Sequence, residues 1–404
     1  DPRITYQRTG PASFVNEFGK VVLVGGNAPR FDHNPSTGES KGLLMEATRI
    51  NQWLYSEDLV TYVASNEMQQ STLTNTTATT DPTGGTNAVK MAATSTSGAH
   101  SFYKMFTSGS NGNVHTASVW VKAAGVDYAR LYVDTVGGNM GGPGVTFSTG
   151  NTWNVTASGT ATQTRTSVVE YPNGWWRLSV SGSFSNQNAY YVHIDLEGGE
   201  GDVSFTGNGS NGMYVWGVQF ELGTFPTSYI PTNGATATRG NELAVIDGED
   251  FSDFYNSVES SVLAVGTVQR PVEDQGQLNI FHIGDDNTDG HGVFREHGTK
   301  DPWYHIRNNN STPSGGNLNP SGFGDWDAGE EARIAIAFKD GDQAISVNGG
   351  NQVTATVTSS YPTANITKMW IGSHGTGSYF EGHIKRIAYY PKLLTDNQLN
   401  TLTA

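Results

Sequence analysis

Apolar and polar residues alternate along several short stretches in the middle of the chain. Such alternation is typical of a β-strand with one buried face, and turn residues separate the stretches. The segments that show it best are HTASVWVKAAG, YARLYVDTVG, GWWRLSVSGSF, AYYVHIDLEG and GMYVWGVQFELG, between residues 115 and 223. We therefore predict an antiparallel β-sandwich over residues 61–222.

A second set of alternating segments follows residue 242. It includes SSVLAVGTVQ, QLNIFHIGD, PWYHIRN, EARIAIAFKDGDQAISVNGG and GHIKRIAYYP. Asp340-Gly341 lies between two alternating runs and predicts a hairpin turn. Thr395 precedes a short run with helical spacing and is a suitable N-cap. We predict a second sandwich over residues 243–404, ending in one short helix.

Two further segments lack a clear period. Residues 1–60 carry turn signals, and we expect an extended lead-in that packs on the first sandwich. Residues 223–242 are rich in Pro, Gly and Thr, and we expect a linker outside any sheet because proline lacks a backbone donor. The predicted fold class is all-β, with two β-sandwich domains of jelly-roll or concanavalin A-like type in tandem.

The composition excludes several classes of function. The formal net charge is −15, so phosphate groups would be repelled and no nucleic-acid partner is predicted. The absence of cysteine excludes disulfides and cysteine-based sites. No apolar run approaches the ~18 residues of a membrane span, so we predict no membrane insertion. The chain starts at Asp1-Pro2, which suggests a piece of a longer polypeptide.

Charged residues cluster in RFDHNPSTGESKGLLMEATRIN, from Arg30 to Asn51. The spacing of its apolar residues predicts one or two helical turns, on which Glu46 and Arg49 would pair. We interpret these charges, and His33 among them, as structural contacts rather than a reaction centre.

The segment DDNTDGHGVFRE, residues 285–296, fits the pattern D-x-[DN]-x-[DN]-G-x5-E. Oxygen ligands at alternating positions and a glycine turn are what a calcium loop needs. Its candidate ligands are Asp285, Asn287, Asp289 and Glu296. The flanking segments resemble strands rather than helices, and Asp and Asn are also common in ordinary turns. A calcium site and a plain turn both remain open, and no other cofactor is predicted.

Aromatic and basic residues concentrate in the second predicted sandwich. Aromatic rings can cover the apolar faces of sugars while Arg and His donate hydrogen bonds to hydroxyl groups. Strand alternation places Trp303 and His305 on one side and Tyr304 on the other, and either side could be core. The candidate glycan-binding residues are Trp303, Tyr304, His305, Arg307, His282, Arg295 and His374.

No catalytic residue is predicted. A glycosidase needs two carboxylates across the scissile bond, and glucanases of the lectin-like fold carry Glu-x-Asp-x-x-Glu on one strand, which is absent here. Neither G-x-S-x-G nor H-E-x-x-H occurs. We favour a non-enzymatic protein; the alternatives are a polysaccharide depolymerase and a structural protein without a ligand.

Two long motifs resemble a virion structural module of tailed bacteriophages. PRFDHNPSTGESKGLLMEATRINQWLYSED (29–58) and YVWGVQFELGTFPTSYIPTNGATATR (214–239) follow its pattern, except that Ile50-Asn51 stands where Thr-Asn is usual. Residues 243–404 resemble a laminin-G or concanavalin A-like lectin domain, through AIAFKDGDQAISVNGG and GHIKRIAYYPKLLTDNQLNTL.

The resemblance implies a tail fibre, tail spike or other protein on the virion surface. It also implies a homo-oligomer, with a trimer as the common form, and contacts with other virion proteins. On this basis we expect attachment to host cell-surface polysaccharides, in which several weak sugar sites act together.

Overall fold

The computed structural model describes residues 1–107, 112–135, 138–139, 141–184, 189–274, 276–285, 289–314, 316–320, 323, 325–350, 353–356, 366–375 and 377–404. Antiparallel sheets dominate these residues, so the predicted all-β fold is confirmed. The helices are short: α1 (Leu59–Tyr62), α2 (Gly248–Ser252), α3 (Asp396–Thr403) and 3-10 turns at Ser65–Glu67 and Pro172–Gly174. None of the described helices is long and apolar enough to cross a membrane.

The N-terminal segment contains six short strands. They are β1 (Thr5–Gln7), β2 (Ala12–Val15), β3 (Val21–Val24), β4 (Phe31–His33), β5 (Ser40–Met45) and β6 (Arg49–Asn51). β2 and β3 pair with each other as a hairpin. The other strands pair with parts of the chain at least 186 residues away, or with each other at a sheet edge.

The first sandwich consists of two antiparallel sheets. Its strands are β7 (Met68–Gln69), β8 (Ser71–Asn75), β9 (Val89–Ala93), β10 (Ser97–Gly98), β11 (His100–Thr107), β12 (His115–Ala124), β13 (Tyr128–Thr135), β14 (Gly138–Asn139), β15 (Gly142–Thr146), β16 (Thr152–Val155), β17 (Ser158–Gly159), β18 (Ala161–Tyr171), β19 (Trp175–Phe184), β20 (Ala189–Glu197), β21 (Phe205–Thr206) and β22 (Gly212–Leu222). One sheet has the order β16-β15-β13-β20-β11-β7 and the other β18-β19-β12-β22-β9-β8. Leu131 and Ile194 of the one and Val121 and Val215 of the other are fully buried between them.

The second sandwich has the same two-layer construction. After β23 (Ala237–Arg239) its strands are β24 (Leu243–Asp247), β25 (Glu259–Val268), β26 (Leu278–Gly284), β27 (Gly290–Arg295), β28 (Pro302–Arg307), β29 (Asn317–Leu318), β30 (Glu331–Lys339), β31 (Asp342–Val347), β32 (Val353–Ala355), β33 (Lys368–Ile371) and β34 (Gly382–Tyr390). The sheet orders are β1-β24-β33-β26-β27-β28-β29 and β32-β31-β30-β25-β34-β5-β4. Ile283, Trp326 and Ile336 fill the core between them.

Two local sequence signals of this half agree with the structure. β30 and β31 form a hairpin that turns at Asp340-Gly341, with Lys339 opposite Asp342. Thr395 caps α3, because its side chain accepts from the Gln398 N–H, and buried Leu399 packs α3 against the outer side of that hairpin.

The N-terminal segment differs from the expected lead-in on the first sandwich. It does contact that sandwich, since Val21 packs against its tryptophans and Trp53 enters its core. However, β1 pairs with β24, and β5 pairs with β34, so this segment completes both sheets of the second sandwich. Residues 1–60 therefore belong to both halves of the molecule.

The segment expected to be a linker is also built into the structure. Tyr229 and Ile230 are buried, and β23 pairs with β6. Pro226 and Pro231 lie outside the strands, as their missing N–H groups require. Residues 223–242 thus form a packed junction with the N-terminal segment.

A buried ion network fills this junction. Arg30 donates to both carboxylate oxygens of Glu242, at 2.7 Å each, and lies 2.8 Å from Glu46. Arg8 reaches Glu242 at 2.9 Å and Arg239 reaches Glu46 at 3.0 Å. All five side chains are 0–1% exposed. Burial by itself would raise the pKa of Glu46, but Arg239 and Arg30 hold it well below its usual range.

The predicted pair of Glu46 with Arg49 on a helical turn is wrong. Residues 40–51 form β5, a connection and β6 instead of helical turns. Glu46 pairs with Arg30 and Arg239, while Arg49 pairs with Glu381 of the second sandwich at 3.2 Å. Partners distant in sequence therefore replace the local pair.

We expect Glu242→Gln to destabilise the protein severely. The substitution keeps the shape but leaves Arg8 and Arg30 buried without their shared counter-charge, which typically costs about 3–5 kcal/mol. Urea unfolding measures the change in the free energy of unfolding. Glu331→Gln is the matched control, because its ion pair with Lys385 is about one-third exposed and such pairs contribute about 0–1 kcal/mol. Equal losses in both variants would contradict the role assigned to the network.

Candidate functional site

The predicted calcium ligands are not all brought together. The Oδ1 atom of Asp285 accepts from the Asp289 N–H at 2.9 Å, which closes the turn between β26 and β27. Glu296 lies just after the other end of β27, about 20 Å along the strand from Asp289. It caps the next turn by accepting from the Thr299 N–H. Asn287 lies outside the described residues. Among the described residues, no group of three or more His, Asp or Glu side chains is placed to hold a metal ion.

Two residues of the predicted glycan cluster point into the interior. Tyr304 is fully buried in the second core, with its hydroxyl 3.1 Å from Nδ1 of His291. Arg295 is fully buried too and donates to the carbonyls of Arg270 and Trp326, so it holds two loops in place. These contacts correct both assignments, since neither side chain can reach a ligand outside.

The other five members lie on or beside the opposite side of the β27–β28 sheet. His282 and His305 are covered, with ring centroids 5.7 Å apart, and burial lowers the pKa of His282 to about 3. His374 is also buried, 3.1 Å from Ser378. Trp303 and Arg307 are half-buried and bond locally, to Thr299 and Asn310. The three histidines of this group are enclosed, and burial lowers the pKa of His282 and His305.

A different surface, in the first sandwich, presents aromatic and charged residues together. It is the side of the β13–β20–β11 sheet turned away from the core, and we call it the outer face. Its residues come from four strands, β11, β13, β16 and β20: Tyr103, Tyr128, Arg130, Tyr132, Asp134, Trp153, Tyr191, His193, Asp195 and Glu197.

A row of three rings crosses the middle of the outer face. Tyr103, His193 and Tyr132 lie directly opposite one another on β11, β20 and β13. The His193 ring stacks between the two tyrosines, with centroid distances of 5.0 and 4.4 Å. Nε2 of His193 is 3.2 Å from Asp134, whereas its Nδ1 has no hydrogen-bond partner among the described residues.

An ionic group lies beside this row. Arg130 donates to Asp195 at 2.8 Å, lies 3.3 Å from Glu197, and has its guanidinium 4.5 Å from the centre of the Tyr132 ring. Oδ1 of Asp195 has no hydrogen-bond partner in the described part of the chain. Burial raises the pKa of Asp195, and it raises that of Glu197 to about 7, although Arg130 acts in the opposite direction on both.

The outer face continues into a cleft of about 260 Å³. Tyr128 and Glu197 border it on the sheet, and Asp127, Asn208 and Asn211 supply further polar groups. On the other side of Tyr128 the indole of Trp153, at a centroid distance of 6.1 Å, lies across Gly144, where any Cβ would collide with it. The glycine thus lets a large aromatic ring rest directly on the sheet.

The sequence contained a signal for this site that our residue-level prediction missed. YARLYVDT places Tyr, Arg, Tyr and Asp at every second position, and YVHIDLE does the same with Tyr, His, Asp and Glu. The solvent side of an ordinary strand needs no such set of aromatic and ionisable residues. The two strands are adjacent only in the fold, however, where Tyr132 lies opposite His193 and Arg130 opposite Asp195.

Comparisons with known proteins give structural matches only. No family model and no curated protein matches the chain. The CBM40 of the Ruminococcus gnavus IT-sialidase is 12% identical, covering 38% of this chain and 88% of that one with a TM-score of 0.30. Domain 4 of AbnA, an arabinanase from Geobacillus stearothermophilus, is 16% identical over 41% and 73%, with a TM-score of 0.30. The botulinum neurotoxin DC binding domain is 14% identical over 40% of each chain, at 0.31. At these scores we draw no function from the matches.

The raised pKa of Glu197 predicts a pH dependence of stability. The folded protein holds this proton up to about pH 7, whereas an unfolded glutamate releases it near pH ~4.3. Stability from this group is therefore present at low pH and is lost as the pH rises between these two values. We expect Glu197→Gln to reduce the loss of unfolding free energy between pH 5 and pH 8, measured by urea titration. Glu17 is exposed, so Glu17→Gln should show the same pH-dependent loss of unfolding free energy as the wild type. An equal reduction of that loss in both variants would refute its assignment to Glu197.

Proposed function

We propose that the chain is a glycan-binding protein whose ligand contacts the outer face of the first sandwich. The observation behind this proposal is the juxtaposition of aromatic rings with a charged group whose hydrogen-bonding capacity is incompletely used. Nδ1 of His193 and Oδ1 of Asp195 are enclosed and have no partner among the described residues. Asp134 and Tyr132 lie beside them and are partly exposed, and a carboxylate can accept from the hydroxyls of a ligand.

The chemistry of the surface suits sugars better than other common ligands. Sugars combine apolar C–H faces with a rim of hydroxyls, which matches Trp153 and Tyr128 beside Arg130 and Asp195. Nucleic acid also stacks on aromatic rings, but its phosphates need cations, and this chain has 38 acidic against 23 basic residues.

Cleavage of the bound glycan is the alternative to binding alone. Asp195 and Glu197 are two carboxyl groups on one strand, and a pKa of about 7 for Glu197 would suit a general acid. Both nevertheless contact the guanidinium of Arg130, and Glu197 is fully buried and accepts from the Gly201 N–H. A glycosidic oxygen could not approach Glu197 without breaking these contacts, so we favour binding.

We further propose that binding serves attachment of a virion to host surface polysaccharide. This setting is supported by the resemblance of residues 29–58 and 214–239 to a bacteriophage module. A solvent-facing sheet is suited to long polymers, because a chain can lie across it and continue in both directions. In a homo-oligomer, several weak sites would raise the overall affinity through effective concentration.

We expect Tyr132→Ala to weaken glycan binding by about tenfold or more, because the substitution removes a ring from the central row and the surface that supports Arg130. The measurement is calorimetry or biolayer interferometry against purified bacterial surface polysaccharides. Release of reducing ends is followed in the same samples. Circular dichroism and thermal unfolding confirm that the variant is folded.

Two control variants separate this site from other surfaces. Phe18→Ala removes a ring that is 70% exposed in the N-terminal segment, and Trp303→Ala removes the most accessible aromatic candidate of the second sandwich. Both should bind like the wild type. Loss of binding in Trp303→Ala with normal binding in Tyr132→Ala would move the site to the second sandwich. Appearance of reducing ends would establish a depolymerase.

A further inference from the structure

We infer that the outer face and its cleft select neutral glycans and disfavour glycans that carry sialic or uronic acids. This inference rests on the proposed function and adds the chemical class of the ligand. It follows from the balance of charged groups over the surface that a glycan would cover.

The first observation is an excess of carboxyl groups around the site. Asp134, Asp195 and Glu197 lie on the outer face, and Asp127 borders the cleft. Arg130 is the one arginine or lysine among the residues that define the outer face. None of the described residues that line the cleft is Arg, Lys or His. A carboxylate on the ligand would meet like charge from Asp127 and Asp134 here, which weakens its binding.

The second observation is that the single guanidinium is already occupied. Arg130 makes a charge-assisted hydrogen bond to Asp195 and an ion pair with Glu197. Its planar group also lies over the Tyr132 ring. Recognition of a sugar carboxylate by arginine uses two parallel N–H donors, and here Nη2 is bonded to Asp195 while Nε faces Glu197 at 3.3 Å. A ligand carboxylate would have to displace Asp195 or Glu197 and leave a buried charge unpaired.

The third observation concerns the hydrogen bonds that the site can offer. Carboxylate oxygens only accept hydrogen bonds, and the hydroxyls of a neutral sugar can donate to them. Asp134 is one-third exposed beside His193 and can accept from such a hydroxyl. Hydroxyl donors fit this set, whereas an acidic sugar replaces donors with a further acceptor.

The test compares matched glycans that differ only in charge. Neutral oligosaccharides of hexoses and pentoses, and the same oligosaccharides capped with sialic acid or with a uronic acid, are presented as multivalent conjugates to the wild-type chain. We expect the chain to bind the neutral set, and to bind each capped counterpart with an affinity at least about tenfold lower. Raising the salt concentration from 50 mM to 500 mM should narrow that difference, because salt screens partly exposed charges.

A charge-neutralising variant links the preference to the site. Asp134→Asn keeps the side-chain size and removes one of the more exposed negative charges, so the difference between neutral and capped glycans should shrink. Asp342→Asn, an exposed residue of the second sandwich, is the matched control and should preserve the wild-type ratio.

The outcomes separate this inference from the proposed function. Equal or tighter binding of the capped glycans would overturn the inference while leaving glycan binding established. Absence of binding to every conjugate would overturn both. A ratio that shifts equally in Asp134→Asn and Asp342→Asn would attribute the selectivity to the net charge of the whole protein and overturn its assignment to the outer face.

Discussion

The ion pairs of Arg30 with Glu242 and Glu46 set the constraint on which the rest of the architecture depends. Each side chain is enclosed, and a buried charge without its partner costs several kcal/mol, so the chain must bring these residues together to fold at all. Glu242 lies directly before β24, and Glu46 directly after β5. The pairing of Arg30 with both glutamates therefore holds the N-terminal strands at the edges of both sheets of the second sandwich.

The same junction contains many residues of the two sequence motifs, 29–58 and 214–239. Asn51 donates to the carbonyl of Ile230 at 2.9 Å, and the Tyr229 hydroxyl donates to Ser56 at 2.7 Å. Arg30, Glu46 and the residues just named all belong to the two motifs, and they are buried or bonded to buried groups. The motifs thus encode the scaffold. The outer face lies on β11, β13, β16 and β20, which are not part of either motif.

The outer face gains its chemistry from the register between neighbouring strands. Stacking of His193 between Tyr103 and Tyr132 requires three strands to be aligned residue by residue. A slip by one position in any of the three strands would turn the ring of that strand into the core. The buried side of the same strands carries Leu131, Val133 and Ile194, whose burial fixes that register. Hydrophobic packing on one side of the sheet therefore positions the polar side that we propose to bind glycans.

Local patterns of the sequence determined the strands, the Asp340-Gly341 turn and the Thr395 cap, because each depends on residues within a few positions. They also determined that Tyr304 and Trp303 point to opposite sides. Only the tertiary structure decided which side is covered, since that depends on the second sheet. It likewise decided that Glu46 pairs with Arg30 and Arg239 rather than Arg49, and that two tyrosine-rich strands 60 residues apart form one surface. Alternation specifies the direction of a side chain, whereas its neighbours come from distant parts of the chain.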